Sequence, residues 1–311
     1  MTLSSQRLIY GCMGLGGDWT PEPYGSADID QAAEAVEAAL SIGVTVFDHA
    51  DIYRHGKAEQ VFGEVLRRSP GLRERIEIQT KCGIRLEKDR APYDLDRASI
   101  VERVDASLAR LGVDYVDTLL LHRPDPLLEP AEVALALGEL HAAGKIRGFG
   151  VSNMSAAQMA FLQREVELPI TVNQLEMSLL RRDWVDSTVL VNHAEQNGFP
   201  HGTLEYCASN GVRLQAWGAL ARGTYSGAAT RTVAEGEASA LVATLAAEKN
   251  TTREAIVLGW LMRHPARIDP VLGSSDPGRI RACADAEAQA SAMTRNEWFA
   301  LYLAARGGPL P

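Results

Sequence analysis

Short, mostly apolar runs alternate along this chain with longer segments in which apolar residues return every three to four positions. The runs lie near residues 44–47, 76–80, 116–121, 146–151, 170–175, 212–216 and 268–272, with a weaker one at 11–14. Several are nearly continuous in Val, Ile, Leu and Phe, the pattern of parallel strands covered on both faces. Between them, segment 96–111 carries Ile100, Val104, Leu108 and Leu111 at helical spacing, with Arg97, Glu102 and Arg103 on the opposite, solvated face. Four helical patterns end in glycine immediately before a strand, at Gly43, Gly112, Gly144 and Gly211. Glycine at a helix C-terminus accepts the left-handed backbone that turns the chain into the next element. Eight strands alternating with helices predict an α/β fold, a closed (β/α)8 TIM barrel, with residues 1–311 forming one domain. Two polar stretches, 181–202 and 222–237, read as long loops on the face where the strands end, and such loops often carry specificity.

Composition narrows the partners. The chain has 311 residues, a formal net charge of −9 and ordinary apolar and charged fractions. An acidic surface repels nucleic-acid phosphates and anionic lipids, so neither is expected as a partner. No stretch is long and apolar enough to span a bilayer. The first residues show no basic segment followed by an apolar one, so a cytoplasmic protein is expected. Cys12, Cys82, Cys207 and Cys283 are scattered, which gives neither a disulfide framework nor the paired spacing of a zinc site.

Four polar residues stand at or just beyond strand ends: Asp48 after 44–47, Tyr53 five residues later, Lys81 after 76–80 and His122 after 116–121. Singly, Asp48 reads equally as a turn cap and His122 as a satisfied rim histidine. Lys81 reads as a charged mouth residue, as a Schiff-base amine, or as a group that tunes a neighbour's acidity. Together they place an acid, a phenol, an ammonium and an imidazole on the one face where parallel barrels do their chemistry.

These residues resemble the catalytic group of the aldo-keto reductases, nicotinamide-dependent (β/α)8 barrels, and the resemblance extends over nearly the whole chain. Asp48-His49-Ala50 with Tyr53, Thr80-Lys81 and Leu121-His122 are similar to the family's local signatures. The resemblance implies reduction of an aldehyde or ketone, with Tyr53 as proton donor, Lys81 lowering the phenol's pKa, Asp48 holding Lys81, and His122 orienting the carbonyl. It also implies cofactor contacts: Ser152 and Asn153 within Gly148-Phe149-Gly150-Val151-Ser152-Asn153, and Gln174 within Asn173-Gln174, at the nicotinamide carboxamide. Trp217 stands where the family more often has a stacking Tyr, followed by the backbone of Gly218 to Leu220 around the pyrophosphate. Ser274 and Arg279 match positions that grip a 2′-phosphate, whereas the family's usual Lys is Gly273 here and its adenine-holding Glu-Asn pair is Ala282-Cys283. NADPH/NADP+ is therefore the favoured cofactor, with NADH still admitted.

By position, Trp19, Tyr24 and His49 are candidates to line the substrate pocket. The chain before the first strand is short, so the hairpin that often closes the barrel bottom is expected to be reduced or absent, leaving side chains to do that work. The tail 294–311 reads as one helix through Trp298, Phe299 and Leu303 with little chain beyond it, which implies an open pocket and a monomer. Two other readings stay open from the residues: a Schiff-base lyase or aldolase using Lys81, and a cofactor-binding interaction subunit with little turnover.

Overall fold

The computed structural model describes residues 7–87 and 91–311, and its eight strands close into a parallel barrel in chain order. They are β1 (Ile9–Gly11), β2 (Val46–Asp48), β3 (Glu77–Cys82), β4 (Val116–Leu121), β5 (Ile146–Ser152), β6 (Ile170–Glu176), β7 (Arg213–Trp217) and β8 (Ile268–Leu272). Pairing is parallel throughout, and β8 returns to β1 with Ile9 opposite Val271. All C-terminal strand ends therefore share one face. Gly43, Gly112, Gly144 and Gly211 all have positive φ, between 65° and 84°, as the helix-to-strand turns require.

Most strand bounds differ from the expected ones by a residue or two, and four segments differ in ways that bear on the site. The first strand lies at Ile9–Gly11, and Cys12–Gly14 is a 3-10 turn; Leu8, Ile9 and Tyr10 are the residues buried there. Strand β3 runs on through Lys81 and Cys82, so Lys81 lies inside the sheet rather than beyond it. The stretch 222–237 is only partly loop, because a helix starts at Val233, where the Thr232 side chain accepts the Glu235 N–H at 3.1 Å. Stretch 181–202 likewise contains the helix Asp183–Val189.

Alternation along each strand sends every second side chain inward. Outward residues pack on the helical ring: Phe47 of β2 lies 5.3 Å, ring to ring, from Phe62 on helix Lys57–Arg68, and both are fully buried. Each such ring contributes roughly 1.5–3 kcal/mol through burial. At the opposite end of the barrel, Asp269 of β8 accepts Arg7 Nε at 3.1 Å on Oδ1 and Arg213 Nε at 2.8 Å on Oδ2. Arg7 also donates to the backbone oxygens of Met262 and Ile268. Side chains thus bridge the barrel bottom, although the expectation about an N-terminal hairpin falls largely on residues 1–6, outside the described residues. The tail forms helix Arg295–Arg306. Its Trp298 stacks on Trp260 at 5.1 Å, and each indole N–H donates to the other residue's carbonyl at 3.0 Å.

Among the described residues no helix is long and apolar enough to cross a membrane.

Candidate active site

Asp48 and Lys81 come from neighbouring strands, β2 and β3, and both point into the barrel near its C-terminal mouth. Lys81 Nζ donates to Asp48 Oδ1 and Oδ2, each at 2.7 Å, to the His49 carbonyl at 2.8 Å, and to Tyr53 Oη at 3.1 Å. Lys81 is fully buried, where an ammonium survives only with such partners. Burial works against its charge, but Asp48 and Tyr53 outweigh it and hold the ammonium above the ordinary lysine range.

Tyr53 opens a 3-10 turn, Tyr53–Gly56, in which Arg54 and His55 take left-handed φ of 53° and 59°. Such backbone costs a non-glycine residue about 1 kcal/mol or more. It lets the chain leave β2, present the phenol to Lys81 and enter helix Lys57–Arg68 within a few residues. The phenol's pKa is held up by burial. Lys81 pulls it down, but burial outweighs that pull, so the net shift is upward where the resemblance implied a lowered value. The His122 ring meets the Tyr53 ring edge-on at 5.9 Å. Burial, Lys81 and Arg123 keep its imidazole neutral, well below the ordinary histidine pKa. A neutral imidazole thus stands beside a phenol that touches a buried ammonium.

The cofactor candidates gather beside this cluster. Ser152 Oγ donates to the Gln174 carbonyl at 2.9 Å, and Asn153 Nδ2 donates to Ser152 Oγ at 2.8 Å. Asn153 has a φ of 58°, which asparagine tolerates better than most residues. Trp217 Nε1 donates to Asn153 Oδ1 at 3.2 Å, a bond through its ring nitrogen that links the ends of β7 and β5. Gly218 is exposed with a φ of 69°, and the tight turn through Leu220 continues to Gly223. Gly273 borders open space where a side chain would extend, and Ser274 Oγ accepts the Asp276 N–H at 3.2 Å. Arg279 is exposed on helix Pro277–Arg281. Its guanidinium lies so close to Gly223 that an added Cβ there would come within 2.8 Å of it. The loops after β7 and β8 therefore meet at Arg279. An aromatic ring, amides from β5 and β6, a turn of bare backbone and a guanidinium, all at the strand-end face, fit a dinucleotide.

Gln174 holds a more interior position than a simple ligand contact implies. Its Nε2 donates to Asp48 Oδ1 at 3.1 Å and to Gln215 Oε1 at 2.9 Å, so its side-chain Oε1 is the end left for a ligand. Of the pocket candidates, Trp19 stands at the rim, 41% exposed, with the Arg54 guanidinium 5.5 Å from its ring and His55 6.4 Å away. His49 is a correction: it is fully buried on the outer side of β2 against Phe62 at 4.5 Å, because the residue after an inward Asp48 must face outward. It reaches the site only through its backbone carbonyl. Tyr24 is a second correction, lying in a surface cavity lined also by Gln60, Gly63 and Arg110 and by none of the four central residues. Lys57 ties the preceding loop to its own helix through the carbonyls of Asp18 and Glu22.

Two residues that the sequence reading passed over belong here. Gln79 and Gln215 are buried inward residues of β3 and β7, and Gln79 Nε2 donates to Asp48 Oδ1 at 2.5 Å. Each stands two positions before a site residue, Lys81 or Trp217, so the two-residue period of a strand was the available signal.

Comparison with known proteins shows the family. The profile of the Aldo/keto reductase family matches residues 7–298. A 6-dehydroglucose reductase of Agrobacterium fabrum is 37% identical over 98% of this chain and 96% of its own length. Oxidoreductase YdhF of Escherichia coli is 38% identical over 90% of this chain and 89% of its own. Among solved structures, an aldo-keto reductase from Klebsiella pneumoniae in complex with NADPH superposes with a TM-score of 0.74, at 23% identity, covering 98% of this chain and 92% of that one. By fold, by the family match and by these relatives, this chain belongs to the aldo/keto reductase family.

Proposed function

We propose that this protein reduces an aldehyde or ketone to an alcohol, reversibly, with NADPH as the favoured cofactor and Tyr53 as the proton donor. The observation that carries the reading is the Asp48–Lys81–Tyr53 chain of contacts, a phenol touching a buried ammonium that a carboxylate holds by both oxygens. When bound, the dinucleotide supplies the hydride. Negative charge then grows on the substrate oxygen, and Tyr53 gives that oxygen its proton. Lys81 stabilises the phenolate left behind, while Asp48 keeps the ammonium in place. Neutral His122, free to donate a hydrogen bond, steers the carbonyl oxygen toward the phenol.

Ser152, Asn153 and Gln174 would hold the carboxamide, Trp217 would stack on the nicotinamide, and the backbone of Gly218 to Leu220 would follow the pyrophosphate. Ser274 and Arg279, beside Gly273, would meet the adenosine phosphate. The Klebsiella relative solved with NADPH supports that choice, and the missing lysine at Gly273 keeps NADH in view. Lys81 is committed to Asp48 and Tyr53 as an ammonium, which disfavours a Schiff base. The reading takes a small-molecule carbonyl as its partner and a cytoplasmic monomer as its form. Its test is oxidation of NADPH and of NADH by the purified protein across a panel of aldehydes and ketones, 6-dehydroglucose among them. Carbonyl-dependent oxidation is expected; its absence across the panel would count against the reading.

A further inference from the structure

Asp48 is held by more than Lys81. Its Oδ1 also accepts Gln79 Nε2 at 2.5 Å and Gln174 Nε2 at 3.1 Å. Gln79 is in turn fixed by Gln215: Gln79 Nε2 donates to Gln215 Oε1 at 2.9 Å and Gln215 Nε2 donates to Gln79 Oε1 at 3.0 Å. The pair joins β3 to β7, strands on opposite sides of the eight-stranded barrel, and Gln215 also accepts Gln174 Nε2 at 2.9 Å. The three side chains are at most 4% exposed. Their amide orientations are chemically determined. An ionised Asp48 only accepts, so Gln79 must turn its NH2 toward it, which sets Gln215 and then Gln174. Apolar residues would fill this barrel layer more simply, and a polar network so far from water persists only when its members satisfy one another.

We propose that Gln79 and Gln215 are positioning residues of the reaction: a reciprocal carboxamide pair across the barrel that fixes Asp48 and, through it, the Lys81 ammonium against Tyr53. The inference rests on Tyr53 being the proton donor. The charged and titratable groups facing Tyr53 are Lys81 from β3, Asp48 from β2, Cys12 from the turn after β1 and His122 at the end of β4. Of these, Lys81 favours the phenolate and Asp48 opposes it. Removing the amide donors leaves the Asp48 charge less offset and its grip on Lys81 looser, and both changes make Tyr53 harder to ionise.

The test is Gln79→Met with Gln215→Met in one chain. Replacing both partners by apolar side chains of similar length leaves neither amide of the pair orphaned, and Gln174 Nε2 keeps Asp48 Oδ1 as its acceptor, so folding is retained. Ionisation of Tyr53 is followed by 13C NMR of ring-labelled tyrosine, its resonance identified by its loss in Tyr53→Phe. The titration is expected to move up by about one pH unit, the size of one lost hydrogen bond to a charged group. Turnover is expected to fall about tenfold. An unmoved Tyr53 titration overturns the proposal whatever happens to thermal stability. If the titration moves but Tyr53→Phe keeps its turnover, the proton-donor reading fails while the positioning network stands.

Discussion

Replacing Lys81 by methionine removes the centre of the site's hydrogen bonding and leaves the Asp48 carboxylate in a barrel interior where it is 2% exposed. Breaking a buried ion pair from one side costs about 3–5 kcal/mol, because the other charge stays behind uncompensated. Asp48 does not lose everything, since Gln79 and Gln174 still donate to its Oδ1. Hydrogen bonds to charged groups are worth about 1.5–3 kcal/mol each, which places Lys81→Met at the low end, near 3 kcal/mol. Asp48→Asn leaves Lys81 with neutral acceptors only, among them the His49 carbonyl and the Tyr53 hydroxyl, and is expected to cost a similar amount. The double variant removes both charges and should cost clearly less than the sum, with a coupling of about 2 kcal/mol, inside the range found for contacting pairs. Urea unfolding at neutral pH, followed by tryptophan fluorescence, measures all four corners of this cycle. Additive single costs, or single costs below about 1 kcal/mol, would refute the reasoning that this pair is coupled and dry.

Two other predictions concern groups outside that pair. His49 is buried neutral with a pKa pushed down to about 3 by burial and by Lys81. The unfolded chain takes up that proton first as pH falls below about 6.5, so stability is whole above that value and declines toward about 3 at up to about 1.4 kcal/mol per pH unit. His49→Phe should flatten that acid decline, measured as unfolding midpoints from pH 7 to pH 4, and an unchanged slope would contradict the assignment; buried Asp51, raised to about 6 by burial, has the opposite sign and is common to both proteins. Arg279→Ala should weaken NADPH about tenfold, the low end for an exposed charge-assisted contact, and leave NADH nearly untouched. Fluorescence titration with both cofactors checks this, and an equal loss for the two would remove the phosphate role from Arg279.

Much of the fold was legible because its signals are local. Glycine before each of four strands marked helix-to-strand turns at Gly43, Gly112, Gly144 and Gly211, and all four adopt left-handed backbone. Strand β1 was misplaced because the glycines at its end and beyond it, Gly11 and Gly14, suggested the tight segment itself, while the short buried run Leu8 to Tyr10 gave little periodicity to read. The Asp48–Lys81–Tyr53 contacts followed from strand-end placement, since consecutive parallel strands bring their ends together. His49 and Tyr24 failed for a different reason: position in the chain placed them near the mouth, but strand alternation turned His49 outward and Tyr24 lies in a surface cavity lined by none of the four central residues. Gln79 and Gln215 went unread because a polar residue inside a strand resembles a solvent-facing one until the opposite strand is known. No local pattern indicates that residues 136 positions apart will exchange two hydrogen bonds. The placement of Arg54 at the rim depends on left-handed backbone at Arg54 and His55 that nothing in the local residue types demanded.

The central claim is that Tyr53 delivers the proton to a carbonyl oxygen. Pre-steady-state reduction of a carbonyl substrate by Tyr53→Phe, with NADPH affinity measured on the same protein, tests it most directly. The account predicts a loss of about 10²–10⁴-fold in the chemical step, the usual share of a positioned general acid, with cofactor affinity close to that of the parent chain. A variant that reduces the carbonyl within a few-fold of the parent rate would contradict it.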